Sequence, residues 1–156
     1  MPTAQVIGVD LGGTAIKLAR IRADGTVLAE AQCSTPQPAV PGAVTMALCD
    51  AIEQIDPEHA AEAVGIGLPG PMDAAARVAR VCINLPGWED VPLADWLESR
   101  LNRRVTLAND GNCAVVGEAW LGAARGVDDV VLLTLGTGVG GGVLSLIHIS
   151  EPTRPY

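Results

Sequence analysis

A chain of 156 residues has the length of a single domain, and its composition, 49% hydrophobic and 18% charged, is typical of a protein with a packed core. This composition excludes a disordered chain. The formal net charge of -8 disfavours binding to nucleic acid or to an anionic membrane. Any bound phosphate must therefore be held locally, by backbone N–H groups, a metal ion or a few well-placed cations.

The sequence has no recognisable targeting or metal-binding signal. No basic segment followed by an apolar stretch precedes the first strand-like run, and no apolar run is long enough to span a bilayer. We therefore expect a cytoplasmic protein without a membrane partner. The four cysteines, Cys33, Cys49, Cys82 and Cys113, lack CxxC spacing and a nearby pair of histidines, so we expect reduced thiols, mostly in the core, and no zinc site.

The first third of the chain predicts a three-stranded antiparallel meander. Its strands are the apolar runs at residues 6–9, 16–21 and 27–33. Asp24 and Gly25 are typical of a hairpin turn between the second and third strands. A proline-rich stretch at residues 34–42 indicates a loop.

Helices and strands then alternate along the chain. Helical spacing of apolar residues predicts a helix at residues 43–55, and a short amphipathic helix is predicted at residues 93–101. Asn109 and Asp110 are predicted to open a third helix that runs to about residue 124. Apolar runs predict strands at residues 63–68, 77–83, 105–108 and 130–135, with a further strand beginning at Val143 after a glycine loop. A meander followed by this alternation predicts a mixed α/β sheet, with a second unit beginning at residues 130–135.

The first candidate site is the sequence DLGGT at residues 10–14, between two predicted strands. Gly12 and Gly13 allow close approach of the backbone, so that N–H groups can converge on an anion, and Thr14 adds a hydroxyl donor. Asp10, at the end of a strand, can hold Mg²⁺ through water. A tight hairpin with a capping aspartate is the alternative interpretation.

A second glycine loop, TLGTGVGGG, covers residues 134–142. Gly136, Gly138 and Gly141 have the GxGxxG spacing of dinucleotide-binding folds, but that motif requires a helix that starts in the loop. Strand-like residues follow here, and the Walker pattern is absent, so a dinucleotide fold is disfavoured. The two glycine hairpins together predict a pair of phosphate-binding turns.

Three further segments carry candidate polar groups. Asn109 and Asp110 lie between a strand and a helix, where they are either N-terminal capping residues or a carboxylate that accepts a hydroxyl proton and an amide that binds neighbouring hydroxyls. The loops GLPGP (residues 67–71) and NLPGW (residues 84–88) are either rigid turns or the lining of a pocket. Asn84 is the candidate sugar contact in the second loop. Trp88 either offers an apolar face or packs beneath that loop.

Together, DLGGTAIK, GLPGP, NLPGW, the Asn-Asp pair and LTLGTGVGGG resemble the ROK family (repressor, open reading frame, kinase), in particular its bacterial glucokinases. The resemblance runs from about residue 6 to residue 143. It implies an actin-like ATPase (ribonuclease H-like) fold with a complete small N-terminal domain and the first hairpin of a second domain. It also implies ATP-dependent phosphorylation of a hexose 6-hydroxyl, with glucose as the expected substrate.

The resemblance implies roles for individual residues. Asp110 would be the general base, with Gly70, Asn84 and Asn109 as further sugar-binding residues. ATP would be bound by the two glycine motifs, and Asp10 would position Mg²⁺. The residues implied in nucleotide binding are Asp10, Gly12, Gly13, Thr14, Lys17, Gly136, Thr137, Gly138, Gly140 and Gly141. The whole protein is expected to bind a hexose and MgATP and to form a homodimer.

The resemblance also has limits along the chain. The family's usual E-N-D-A-N reads Ala108-Asn109-Asp110-Gly111-Asn112 here, and its cysteine-rich zinc motif and adenine pocket have no counterpart, so no structural zinc is expected. Residues 144–156 resemble translated sequencing adapter. We therefore expect an N-terminal domain at 1–124, the truncated start of a second at 125–143, a non-native tail at 144–156, and little kinase activity from this chain.

Two other classes of function remain to be distinguished from a kinase. ROK regulators carry a DNA-binding segment before the first phosphate motif, whereas that motif begins ten residues into this acidic chain. A non-catalytic actin-like ATP-binding module would not need Asp110. Comparing ATPase rates with and without a hexose discriminates between this module and a kinase.

Overall fold

The computed structural model describes residues 4–82, 85–135 and 139–145. The strands in these residues are β1 (Gln5–Leu11), β2 (Ala15–Arg22), β3 (Val27–Ser34), β4 (Ala63–Leu68), β5 (Ala79–Val81), β6 (Glu89–Val91), β7 (Arg104–Asn109), β8 (Asp129–Leu135) and β9 (Val139–Ser145). The helices are α1 (Pro41–Ile55), α2 (Leu93–Leu101) and α3 (Asp110–Leu121).

A five-stranded mixed sheet in the order β3-β2-β1-β4-β7 organises most of the chain. Strands β1, β2 and β3 form the predicted antiparallel meander. Strands β4 and β7 then add in parallel on the other side of β1. The carboxyl ends of the parallel strands β1, β4 and β7 consequently meet at one edge of the sheet.

The core under this sheet is almost entirely aliphatic, as expected for a chain without phenylalanine. Helix α1 begins at Pro41, whose missing N–H is not needed in the first turn, and it buries one apolar face. Helix α2 buries Leu93, Ala94, Leu97 and Leu101. Trp88 is the large aromatic side chain of the core, and its indole N–H donates to the Ala39 carbonyl at 2.8 Å.

A buried ionic cluster lies where α1 ends. The Asp56 carboxylate is fully buried and accepts hydrogen bonds from the Arg20 and Arg103 guanidinium groups, both at 2.7 Å. Burial alone would raise the pKa of Asp56, but the backbone N–H of Ala61 and the Arg20 guanidinium outweigh it and lower that pKa. Arg103 also donates to Nδ1 of His59 at 2.7 Å. His59 itself is exposed.

Four element predictions need correction. The strand predicted at residues 77–83 is shorter, Ala79–Val81, and it pairs with a strand that the sequence did not reveal, Glu89–Val91. Helix α3 ends at Leu121, before residue 124, because the Glu118 carbonyl accepts from the Gly122 and Ala124 N–H groups. Strand β9 begins at Val139, within the predicted glycine loop.

The chain divides into two compact units, Met1–Asp110 and Gly111–Tyr156. The first contains the five-stranded sheet with α1 and α2, and the second contains most of α3 and the β8–β9 hairpin. The predicted domain boundary near residue 124 and the predicted non-native tail stay predictions. Within the described ranges, no helix combines the length and the apolar character needed to cross a membrane.

Candidate active site

Several predicted site residues lie along the carboxyl edge of the parallel strands. In the register of the sheet, Asp10 of β1 is opposite Gly67 of β4, and Gly67 is opposite Ala108 of β7. Adjacent strands are separated by about 4.8 Å, so Asp10 and Ala108 are separated by about 10 Å across the sheet. Asn109 and Asp110 follow directly. In open α/β sheets, ligands bind beyond this edge.

The first glycine turn connects β1 to β2 at this edge. The Gly12 N–H donates to the Ala15 carbonyl at 3.0 Å, which closes the turn. The Gly12 carbonyl accepts from the Thr35 hydroxyl at 2.7 Å, and the Gly13 carbonyl accepts from the Gln37 amide at 3.0 Å. A Cβ on Gly13 would meet no atom within 4 Å, so the space beside Gly13 is open to a ligand. The turn has the form of an anion-binding concavity.

Asp10 and Lys17 are directly opposite each other on β1 and β2, and both are exposed. Their side chains therefore lie on the same face of the sheet, beside the glycine turn. No group of three His, Cys, Asp or Glu side chains that could hold a metal occurs in the part of the chain that the structure describes. A Mg²⁺ ion here would use Asp10, water and the oxygens of a bound phosphate, a common arrangement for this ion.

Asn109 and Asp110 link strand β7 to helix α3. The Asn109 side-chain amide donates to the Gly70 carbonyl at 3.3 Å, so the predicted sugar ligands Asn109 and Gly70 lie together. Asp110 is exposed and is the first residue of α3, where backbone N–H groups favour a carboxylate. The structure therefore agrees with both interpretations of this pair, as helix-start residues and as polar groups at the sheet edge.

Gly70 is required by the backbone itself. Its φ of +109° lies in the left-handed region, and a Cβ there would come within 1.9 Å of the Val81 carbonyl oxygen. No other residue type fits this position without rebuilding the loop. Gly70 therefore contributes a carbonyl oxygen and a close approach to β5, and its presence alone is no evidence of sugar binding.

Cys82 lies close to the candidate base. Its side chain is buried, and burial together with the negative charge of Asp110 raises the pKa of the Cys82 thiol to about 11. The thiol is therefore protonated at neutral pH and unreactive. The expectation that the four cysteines lie mostly in the core is confirmed only in part. Cys49 and Cys82 are buried, whereas Cys33 is half-buried and Cys113 is exposed.

The described part of the NLPGW loop is fixed by Trp88. This side chain is 2% exposed, so it packs beneath the loop and does not offer an apolar face to a sugar. The Cys82 N–H donates to the Trp88 carbonyl, and the Leu85 N–H donates to the Cys82 carbonyl. The predicted sugar ligand Asn84 lies outside the described residues.

The second glycine motif lies in the β8–β9 hairpin. Gly136, Thr137 and Gly138 lie outside the described residues, whereas Gly140 and Gly141 belong to β9. A Cβ on Gly140 would come within 2.7 Å of the Thr134 hydroxyl, and one on Gly141 within 2.5 Å of the Leu132 carbonyl. Packing against the Leu132 backbone therefore already requires Gly141, whereas rotation of the Thr134 side chain would relieve the contact at Gly140. The strand after the loop agrees with the rejection of a dinucleotide fold.

Two residues that brace the first glycine turn, Thr35 and Gln37, were missed in the sequence. They lie in the proline-rich loop after β3, where no periodicity or motif marks them. Only the contact with the turn, 23 and 24 residues earlier in the chain, identifies them.

Comparison with known proteins agrees with this geometry. The model of the ROK family matches residues 6–150. The chain is 41% identical over 145 residues to a glucokinase of Thermotoga maritima, covering 93% of this chain and 46% of the relative. It is 36% identical over 138 residues to an N-acetyl-D-glucosamine kinase of Pectobacterium atrosepticum, covering 88% of this chain and 45% of that relative.

A solved structure of a ROK family glucokinase from Streptomyces griseus, in complex with glucose and AMPPNP, superposes with a TM-score of 0.85 at 37% identity. The match covers 91% of this chain and 45% of that one, so the chain spans about half the length of the relatives that it matches. These similarities and the mixed sheet confirm the predicted actin-like α/β fold. The chain belongs to the ROK family.

Proposed function

We propose that the whole protein to which these residues belong, hereafter the full-length kinase, phosphorylates the 6-hydroxyl of a hexose with ATP, and that glucose is its substrate. The single observation that carries this proposal is the sheet edge, where Ala108 lies in register with Asp10 through Gly67, so that Asn109 and Asp110 follow at the same edge as the glycine turn after Asp10. One edge thus offers a carboxylate for a hydroxyl group and a turn for phosphate. The names of the relatives support sugar phosphorylation in general terms.

Asp110 is the general base of the proposed reaction. Its carboxylate accepts the proton of the 6-hydroxyl while that oxygen forms a bond to the γ-phosphorus and the bond to the bridging oxygen of ADP breaks. Phosphoryl transfer needs little covalent assistance, so the main contributions of the protein are positioning and charge. The exposure of Asp110 at the start of α3 leaves its carboxylate accessible to a sugar.

The nucleotide is bound through its phosphates in this proposal. Gly12, Gly13 and Thr14 supply the turn, and Lys17 supplies a positive charge opposite Asp10. Magnesium would neutralise the charge that develops on the phosphates, with Asp10 holding it through water. Open space beside Gly13 fits a phosphate group. The second glycine motif, in the other unit, is proposed to bind phosphate as well.

The sugar is bound next to the base. Asn109 is oriented by its hydrogen bond to the Gly70 carbonyl, which restricts the directions in which its amide can meet hydroxyl groups. Neutral hydroxyls require paired donors and acceptors, and a side-chain amide supplies both. Asn84 is proposed as a further ligand from the sequence resemblance alone.

Replacing Asp110 by asparagine in the full-length kinase tests this assignment. We expect kcat with glucose to fall by about 10²–10⁴-fold, the usual contribution of a general base, while the affinity for MgATP stays within about twofold. Asp50→Asn, which changes an exposed aspartate on α1, is the matched control and keeps normal turnover. Near-normal kcat in Asp110→Asn would refute the role of Asp110. In the same coupled assay the 156-residue chain alone is expected to give little turnover.

A further inference from the structure

A short segment after β3 is bonded to every carbonyl group of the first glycine turn. The Thr35 hydroxyl donates to the Gly12 carbonyl at 2.7 Å, and the Gln37 side-chain amide donates to the Gly13 carbonyl at 3.0 Å. The Thr35 backbone N–H donates to the Thr14 carbonyl at 3.0 Å. Three consecutive carbonyl oxygens of the turn are thus held by residues 35–37.

This bonding fixes the direction of two N–H groups. In a planar trans peptide the C=O and N–H bonds point in opposite directions. Holding the Gly12 carbonyl therefore directs the Gly13 N–H away from Thr35, and holding the Gly13 carbonyl directs the Thr14 N–H away from Gln37. Within the described ranges, neither of these N–H groups donates to a protein acceptor.

The space beside Gly13 is open. A Cβ added to Gly13 would meet no atom within 4 Å, and both Gly13 and Thr14 are exposed. Two adjacent donors that share one open side of a turn form a concavity that fits an anion such as phosphate. Thr35, by contrast, is only 3% exposed, so its hydroxyl is committed to the turn and unavailable to a ligand.

The bracing segment is itself anchored. Ala39 is 2% exposed, and its carbonyl accepts from the indole N–H of Trp88, which is equally buried. Helix α1 begins two residues later, at Pro41. Residues 35–39 are therefore tied at one end to the glycine turn and at the other end to the core, so that they hold the turn in one conformation.

We propose that Thr35 and Gln37 are positioning residues, which orient the Gly12–Gly13 and Gly13–Thr14 peptides so that the N–H groups of Gly13 and Thr14 bind a phosphate oxygen of the nucleotide. The assignment of the phosphate to ATP rests on the proposed kinase function. The orientation of the two peptides rests on the hydrogen bonds alone. The two statements are therefore tested separately.

The first experiment follows the Gly13 and Thr14 amide signals of the ¹⁵N-labelled full-length kinase by NMR. Sodium tripolyphosphate and the magnesium complex of AMPPNP are the probes. We expect both signals to shift on titration in the wild type and in Thr35→Ser, which keeps the hydroxyl. Thr35→Val should weaken the response about threefold to tenfold, the effect of one lost hydrogen bond.

Thr45→Val is the matched control for Thr35→Val. Thr45 is as buried as Thr35, at 2% exposure, and its hydroxyl donates to the Pro41 carbonyl within α1, away from the turn. The proposal is supported if only the Thr35 variant loses the response. It is overturned if the wild-type Gly13 and Thr14 signals do not shift with either probe. It is also overturned if the shifts of these signals are equally large in Thr35→Val and Thr45→Val.

The second experiment separates positioning from general damage in the full-length kinase. Thr35→Val should raise the KM for ATP about threefold to tenfold and leave the KM for glucose unchanged, with rescue by Thr35→Ser. Equal losses for ATP and glucose would overturn the proposal. An inactive wild type would contradict the kinase function, whereas the amide signals would still decide whether Thr35 positions the turn.

Discussion

Gly12 and Gly13 are neighbours in the same turn, but a side chain would meet different surroundings at each. A Cβ on Gly12 would lie 3.0 Å from the Ala15 carbonyl oxygen, whereas one on Gly13 would meet no protein atom within 4 Å. Gly13→Ala should therefore fold normally. In the full-length kinase it should weaken MgATP binding about tenfold or more, because its methyl group occupies the space proposed for phosphate. Calorimetric titration with AMPPNP measures this loss.

Gly65→Ala is the control for Gly13→Ala. Gly65 is an exposed glycine in β4 with equally open surroundings, and it lies within the strand, away from its carboxyl end. Both variants should keep the wild-type Tm within a few degrees. Wild-type affinity for AMPPNP in Gly13→Ala would mean that no phosphate approaches Gly13.

At the same scale, the sequence identifies candidate polar site residues better than it shows why a glycine is needed at a given position. Asp10, Asn109 and Asp110 could be predicted at the ends of strands because each follows an apolar run, whereas their shared sheet edge is known only from the strand pairing. Gly70 and Gly141 were predicted from the same motifs, yet close backbone approach within the protein already requires them. A glycine in a sequence does not reveal whether a ligand or a neighbouring strand occupies the missing side chain's place.

At the scale of elements, the outer strand β7 ends directly before the candidate base Asp110, and the free edge of β7 is covered. The Val105 N–H donates to the Glu98 carboxylate at 2.8 Å, and the Val105 carbonyl accepts from Arg77 at 3.1 Å. The Leu107 N–H donates to the Ala76 carbonyl. Two side chains and the Ala76 carbonyl thus form hydrogen bonds with backbone groups of β7 that could otherwise pair with another strand.

Glu98 makes this edge sensitive to acid. Its hydrogen bonds from Arg77 and from the Val105 N–H lower the pKa of Glu98 to about 2 in the folded protein, from an ordinary value of 4.5. Because the folded pKa is depressed, its contribution to stability is complete above about pH 4.5 and is lost as the pH falls towards 2. Glu98→Gln should flatten the fall in the free energy of unfolding between pH 5 and pH 3.

Urea unfolding of the 156-residue chain at pH 7, 5, 4 and 3 measures this dependence. Glu58→Gln is the control, since Glu58 is exposed and, among the described residues, its side chain makes no ion pair or hydrogen bond. The difference between the Glu98→Gln and wild-type curves should shrink as the pH falls. A difference that stays constant from pH 7 to pH 3 would contradict the role assigned to the Glu98 charge.

The order of elements was predictable because most of them are long and periodic. Helix α2 and strand β4 have the predicted bounds, and the meander is present. Strand β6 has three residues, Glu89–Val91, without alternation, and it exists through its pairing with β5. The end of α3 depends on the Glu118 carbonyl and carboxylate, which accept from N–H groups at 122–124. Such contacts have no signature in a local sequence window.

At the scale of the whole molecule, the two units differ in how they bury apolar side chains. The first unit encloses an aliphatic core, whereas one face of the β8–β9 hairpin exposes Val131, Leu133, Leu135 and Val143 at 70–82% of their surface. Exposed apolar faces of this kind promote association. The 156-residue chain should therefore self-associate at micromolar concentrations.

Val131 and Val143 are cross-strand partners, and both are 70% exposed. Replacing both by threonine exchanges one methyl group for a hydroxyl at each position, at the centre of this face, and keeps two residues that favour strands. We expect Val131→Thr/Val143→Thr to lower the associated fraction in sedimentation velocity at least twofold. Val27→Thr/Val81→Thr, which changes two exposed valines of the first unit, should leave it unchanged. If both double variants associate like the wild type, the hairpin face does not drive association, and another surface of the chain must be responsible.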